Sequence, residues 1–467
     1  MARKGGATKA APKPTSVPIK RYKPTGGSFV GIDIGTGQIK VVEVSGAGSG
    51  LKVTALGIGG TPEGLVSQGV VADPKLLGGA IKSLLAKSGV RSRKAVVSVG
   101  GAAAMVVRVV DVPKMTPGEL AETMKWQIEQ YVPFPASEVE LSYQKIDDPV
   151  ADADPTANME VLIAVAQRDM VARHIETAKA AGLEPFAVDV EPLAAGRSLI
   201  NLSKEGYDQK NVVVVNIGFS LTDVGIFKNG TLRFPRTIPL GGDNLTRAIA
   251  EKCGLGLDAA EDDKREVAAV LMDLIESGEA DLFGNAEPAD NGIASPWDVD
   301  TSVPLPPSLF GDAPAAAETA EAEPAAQNPF ADPFAAPEEE PAPAAAVVET
   351  GLAAGSSTHS DREKEIFQAI LPVLGEFVME LRRSVDYFRS KFPMQTVDQI
   401  LLCGGGANLR NLDQYVQSEL GVPTSVADPF AAVNVQSKQM PVARRMEVAP
   451  AFAVALGLAA RDSLLGS

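Results

Sequence analysis

In the stretch "GIDIGTGQIKVVEV", two apolar runs flank a turn that carries Asp33, Gly35, Thr36, Gly37 and Gln38, with Lys40 at the start of the second run. A carboxylate beside glycines, followed by an ammonium, has the chemistry of a phosphate site. Glycine lets backbone N–H groups approach a ligand closely or adopt positive φ. Hard divalent cations on nucleotides take one or two carboxylates plus phosphate oxygens, so Asp33 is a candidate for holding Mg2+ through water. The Lys40 ammonium is placed to reach a phosphate. Taken alone, "DIGTG" still reads as an ordinary β-turn.

Other stretches shift that balance. "VVVNIGFSLTDVGIF" repeats the pattern of apolar strand, Asp or Asn, Ile-Gly, short polar turn and second apolar strand. The chain thus reads as two related halves, each opening on a hairpin with a glycine-bearing turn, and two such turns facing each other make a phosphate clamp. "VDQILLCGGGANLRNLDQYV" puts Gly404, Gly405 and Gly406 directly after a strand and before a helical pattern, which suits close contact with a nucleoside. "VDVEPLAAGRSLI" puts Glu191 where a strand passes into a helix.

The elements that must hold these residues alternate. "KAVVSVGG", "AAMVVRVVDV", "EVLIAVA", "NVVVVNIG", "TDVGIFKNG", "TLRFPRTI" and "VDQILLCGGG" are short, β-branched and punctuated by Gly, Asn-Gly or Pro, as strands are. "DPKLLGGAIKSLLAKSG", "TPGELAETMKWQIEQYV", "QRDMVARHIETAKAAG" and "GDNLTRAIAEKCG" carry apolar residues at helical spacing between starts at Asp, Thr or Pro and ends at Gly. The class is α/β.

Composition removes several chemistries. At 467 residues and 45% apolar content, the chain can bury more than one core. A formal net charge of −16 opposes general nucleic-acid binding. Cys253 and Cys403 are the only cysteines and His174 and His359 the only histidines, which leaves no disulfide framework, no CxxC metal spacing and little material for histidine zinc sites or Ser-His-Asp triads. This usage fits a reducing cytoplasm. No apolar run is long enough to span a bilayer.

Two segments lack the means to bury a core. Residues 1–27 are basic and rich in Pro, Ala and Gly, and read as a disordered solvated tail rather than a signal peptide or a contact for anionic lipid. Residues 285–360, with "AAAETAEAEPAAQNPFADPFAAPEEEPAPAAA", read as a disordered acidic Ala/Pro/Glu-rich insertion. The phenylalanines of "NPFADPF" are a candidate docking motif within it, although sparse aromatics in a flexible loop are more often incidental.

The order "DIGTGQIK", "VEPLAAGRSL", "NIGFSLTDVGIF", "GGDNLTRAI" and "LLCGGGANLRNL" resembles the phosphate-1, connect-1, phosphate-2 and adenosine motifs of the actin, Hsp70 and FtsA superfamily. Within that superfamily, "ELAETMKWQIEQYVPFPASEVELSYQ", "ELRRSVDYF" and "VPTSVADPF" resemble the PilM family of type IV pilus assembly proteins. The resemblance runs from about Ser28 to Ala460, apart from the insertion. It implies an actin-like, RNase H-like two-lobed ATPase fold with an inserted FtsA/SHS2-type small subdomain. The implied limits are a first lobe over 28–112 and 189–210, the small subdomain over 113–188, a second lobe over 211–284 and 361–444, and a carboxy-terminal helix over 445–467 returning to the first lobe.

By the same resemblance the cofactors are ATP and Mg2+. Asp33 would hold Mg2+ through water, and Gly35, Thr36, Gly37, Gln38 and Lys40 would meet the β- and γ-phosphates. Asn216, Gly218 and Ser220 would form the opposing turn, with Gly241 and Gly242 following it, and Gly404, Gly405, Gly406 and Asn408 would lie at the adenosine. Glu191 matches the acid that orients the attacking water in some relatives. Asn216 stands where the superfamily usually has Asp, and it brings no negative charge to the cation. Phe219 replaces a small or acidic residue and would crowd the γ-phosphate. The implied protein is a nucleotide-binding adaptor with slow or absent ATP hydrolysis.

The implied partner is the amino-terminal cytoplasmic peptide of an inner-membrane PilN-like protein, captured beside the small subdomain and linked to the pilus motor. The protein would be cytoplasmic and reach the inner membrane only through that partner. "MKWQIEQYVPFP" offers Met124, Trp126, Ile128, Tyr131, Val132 and Phe134 near such a groove, although apolar residues at that spacing are usually core. The sequence is compatible with a homo-oligomer. The other readings are an FtsA-like cell-division protein, a sugar or acetate kinase of the superfamily, and a nucleotide-free scaffold of a related secretion system.

Overall fold

The computed structural model describes residues 27–101, 105–131, 134–146, 158–278, 359–393 and 395–464. The expected tail up to residue 26, and the expected insertion up to residue 358 with its "NPFADPF" motif, lie outside the described residues. Just past them, Ser360 caps the helix Asp361–Lys391 through a reciprocal pair with Glu363.

Two sheets share one topology. The first holds β1 (Ser28–Ile34), β2 (Gln38–Ser45), β3 (Lys52–Gly60), β6 (Lys94–Val99), β10 (Glu184–Val190) and β16 (Asn434–Val435) in the order β10-β6-β1-β2-β3-β16, while β4 (Val66–Ser67) and β5 (Val70–Val71) pair as a separate two-stranded sheet. The second holds β11 (Asn211–Ile217), β12 (Thr222–Lys228), β13 (Thr231–Ile238), β14 (Gln399–Cys403) and β15 (Thr424–Val426) in the order β13-β12-β11-β14-β15. Each is an antiparallel three-strand meander whose first strand then pairs in parallel with a later strand. Strands buried on both faces explain the runs "FVGIDI" and "VVVVNI".

Helices cover the faces. Pro74–Ser88 starts at Asp73, whose side chain accepts from the N–H groups of Lys75 and Leu76, and stops at left-handed Gly89. Together with β1, β2 and β6 it closes the first-lobe core around Ile32, Leu77, Ile81 and Val97. The helix Asp361–Lys391 buries Phe367, Ile370, Leu381 and Phe388 against the second sheet.

Two crossings join the lobes. The chain leaves the first lobe through Glu191–Gly196 and returns through Ala453–Ala459. These cross where Gly457 meets Ala194, since a Cβ at Gly457 would lie 1.8 Å from the Ala194 carbonyl. Ser198 donates to Ala453 O at 2.6 Å and Arg197 to Gly457 O at 2.8 Å. Among the described residues no helix is long and apolar enough to cross a membrane.

A third sheet of β7 (Met105–Val112), β9 (Met159–Gln167) and β8 (Val139–Lys145), in the order β7-β9-β8, packs with the helix Pro117–Tyr131. Strand pairing draws this subdomain differently from the expected 113–188 span. It begins at Met105, while the helix Arg168–Ala180 and β10 return to the first lobe beside Pro74–Ser88 and β6. Met124 is fully buried in this small core, with Leu120 and Val161. Phe134 is half-buried, and the side chains of Trp126, Ile128, Tyr131 and Val132 lie outside the described residues.

Candidate functional site

The first turn is closed by Gly35 N–H donating to Gln38 O at 3.1 Å. Thr61 pins it, donating from its N–H to Gly37 O at 3.1 Å and from its hydroxyl to Gly35 O at 2.6 Å. Behind the turn, Asp33 stands opposite Lys40 in the β1–β2 register. Asp33 is buried, and its Oδ2 lies 3.1 Å from Lys40 Nζ. Thr36, Gly37 and Gln38 keep part of their surface.

The second turn has the same build. Gly218 N–H donates to Leu221 O at 2.9 Å, and Asn216 stands opposite Asp223 as Asp33 stands opposite Lys40. The two turns touch through Phe219, whose Cδ2 lies 2.9 Å from where a Cβ at Gly37 would sit. Ser220 is half-exposed beside it. Gly241 and Gly242 stand behind this turn with their N–H groups engaged, by Asn244 Oδ1 at 2.9 Å and by Gly218 O at 3.0 Å. Their carriage of the turn is indirect support rather than an open anion cradle.

The third loop joins them. Gly404 has φ +85°, and a Cβ there would lie 2.4 Å from Ile217 O and 2.8 Å from Asn216 Oδ1, so only glycine fits. Gly406 lies as tightly on the Ile217 side chain, and the nearest atom to a Cβ at Gly405 is Gln38 Oε1 at 3.9 Å. Gly405 and Asn408 are exposed on the short turn Gly405–Asn408. The candidate residues of both turns and of the Gly404 loop therefore converge on one cleft.

Glu191 opens the crossing helix at the floor of this cleft, against Gly100, where a Cβ would meet its Oε1 at 2.1 Å. Burial pushes the Glu191 carboxyl well above the usual range, and the charges of Asp223 and Asp33 push it further. Burial also raises Asp223, which shares a hydrogen bond with Glu191 and accepts from Thr237 Oγ1 at 2.6 Å. Two carboxyls can hydrogen-bond only through a shared proton, and the stronger upward push falls on Glu191. Buried Cys403 is raised too, by burial first and then by Asp223 and Asp33.

Asp223, Thr237 and Gly100 escaped the reading of the sequence. The signal for Asp223 was present, because Asp223 follows Asn216 at the interval by which Lys40 follows Asp33. Among the described residues, no three His, Cys, Asp or Glu side chains are gathered closely enough to hold a metal ion by themselves.

The chain is 27% identical to a solved "PilM-PilN type IV pilus biogenesis complex" chain, covering 94% of this chain and 99% of that one with a TM-score of 0.66. It shares that actin-like two-lobed α/β fold. Cell division protein FtsA of Bacillus subtilis (strain 168) is 26% identical over 278 residues, 55% of this chain and 61% of that protein. FtsA of Streptococcus pneumoniae is 25% identical over 244 residues, 48% of this chain and 52% of that protein. The chain thus matches little more than half the length of these distant curated relatives. The family model described as "Type IV pilus assembly protein PilM" matches residues 31–269 and 358–463. With that match spanning most of its length, the chain belongs to the PilM family of type IV pilus assembly proteins.

Proposed function

We propose that this protein is a nucleotide-holding adaptor of the type IV pilus assembly platform, taking ATP with Mg2+ between its two turns and capturing the amino-terminal cytoplasmic peptide of an inner-membrane PilN-like protein. The observation that carries the nucleotide half is the convergence of the paired turns, Gly35–Gln38 and Gly218–Leu221, with the Gly404 loop. Family membership and the likeness to the PilM-PilN complex chain support the peptide half. Membrane association would run through that partner.

The residues fit the cofactor. The buried oxygen donor of Asp33 suits a hard cation, and since the described residues alone gather no metal cage, such a cation would depend on phosphate oxygens and water. Lys40, now on Asp33, is the cation available to phosphate. Gly35, Thr36, Gly37 and Gln38, with Gly218 and Ser220 opposite, would flank the phosphates. Gly404, Gly405, Gly406 and Asn408 would flank the nucleoside. When bound, Mg2+ would neutralise phosphate charge. A general base must be ionised to take a proton from water. Burial and the neighbouring acids push Glu191 toward its protonated form, which works against that task and supports slow or absent hydrolysis.

Calorimetric titration of ATP with Mg2+ into the protein and into Asp33→Ala, with phosphate release followed in parallel, tests the reading. Binding weakened at least about 100-fold in the variant, roughly 2.7 kcal/mol, is expected. Turnover should stay below about one per second, under the median of about ten per second for enzymes. No binding to either protein would leave a nucleotide-free scaffold, the reading favoured by Phe219 closing on Gly37.

A further inference from the structure

Asp111 of β7 and Glu160 of β9 stand directly opposite each other in the small sheet. Facing residues of an antiparallel pair share one face, and like charges there repel. Cations from the second lobe meet both. Lys391, the last residue of the long second-lobe helix, places Nζ 2.9 Å from Glu160 and 3.6 Å from Asp111. Arg233 of β13 also pairs with Glu160. The Arg233 and Glu160 side chains are 5% and 14% exposed, so this pair is largely withdrawn from water.

β13 also reaches the cleft. Further along the strand, Thr237 holds Asp223, and just past its end Leu240 O accepts from Thr222 Oγ1 at 2.7 Å. One strand therefore bears both an anchor for the small sheet and a support for the cleft carboxylate.

We infer that Asp111 and Glu160, clamped by Lys391 and Arg233, form an ionic lock that makes the small subdomain follow the second lobe. Lys391 and Arg233 act as positioning residues. The small sheet carries a repulsive pair that is relieved on docking to that lobe. Its value for function rests on the adaptor reading above: a lobe movement at the cleft would be carried to the subdomain proposed to capture the peptide.

The test uses the full chain without nucleotide or peptide, so its failure is separate from failure of the adaptor reading. Hydrogen exchange is followed in β7 and β9 and, as an internal control, in β1 and β11, at low and high salt. Lys391→Met is expected to lower protection of β7 and β9 about tenfold while leaving β1 and β11 unchanged, and high salt should lower it in the parent protein. The decisive arm is Lys391→Met with Asp111→Asn. Removing one carboxylate ends the repulsion and should restore most of the protection, which lost packing alone would not allow. Unchanged protection in Lys391→Met, or a double variant no better protected than the single, would overturn the lock. If Lys391→Met loosens the whole chain, the salt dependence of the parent protein decides, with protection lowered at high salt in β7 and β9 but not in β1 and β11 supporting the lock and no difference opposing it.

Discussion

The two hairpin turns are the same backbone put to different electrostatic use. Gly35 bonds Gln38 as Gly218 bonds Leu221, and each turn is preceded by a polar side chain paired across to the second strand. In the first lobe that cross-strand pair is Asp33 with Lys40, opposite charges at 3.1 Å. In the second it is Asn216 with Asp223, an amide facing an acid that leans instead on Thr237 and Glu191. Duplicated topology thus carries a neutralised pair on one side and a proton-sharing acid pair on the other. Removing charge from the two arrangements should then act in opposite directions.

The largest break in this symmetry should come from Lys40→Met. It leaves Asp33 buried beside Glu191 and Asp223 without its cation, and loss of one partner of a buried ion pair costs about 3–5 kcal/mol. Urea unfolding should show that loss; a change under about 1 kcal/mol would mean that Asp33 and Lys40 do not act as a buried pair. Next comes Phe219→Ser, which clears the ring from Gly37. Nucleotide affinity should rise about tenfold by calorimetry, roughly 1.4 kcal/mol, and an unchanged affinity would show that Phe219 is no obstacle.

The smallest effect should come from Glu191→Gln, and it has the opposite sign to Lys40→Met. Glu191 and Asp223 both titrate higher folded than unfolded, so the folded chain binds the extra proton. The stability contributed by that proton is complete below the ordinary carboxylate range and is lost as pH rises through the raised values. Glutamine keeps a donor toward Asp223 without a proton to lose. At about pH 8 the variant should gain about 1 kcal/mol, a rise of roughly 1 °C in Tm for a chain of this size, with little gain at about pH 5. An equal gain at both pH values would remove the proton from the explanation.

What could be read from the sequence was what is local. The hairpins announced themselves because glycine, Asp or Asn and β-branched strands lie within a few residues of each other. The limits of the small subdomain did not, since "MVVRVVDV" has the pattern of any strand and only its pairing with β9 takes it out of the first lobe. The helix Asp361–Lys391 was visible only as the "ELRRSVDYF" motif, because Pro372 inside it reads as a breaker. Asp223 looked like an ordinary strand residue until the β11–β12 register set it opposite Asn216. Nor did the sequence show that Lys40, besides its expected reach to phosphate, lies 3.1 Å from Asp33 across the β1–β2 hairpin.

Gly31 in β1 is the floor on which the returning helix Ala453–Ala459 lies, so close that a Cβ there would reach 2.1 Å from Ala455 O. On the ribosome, β1 therefore waits for a helix made roughly 420 residues later. At about 5–20 residues per second, the interval is tens of seconds. Until then, the apolar face of the first sheet beneath Ala455 and Leu456 has no cover, and the nascent chain presents a surface that chaperones recognise.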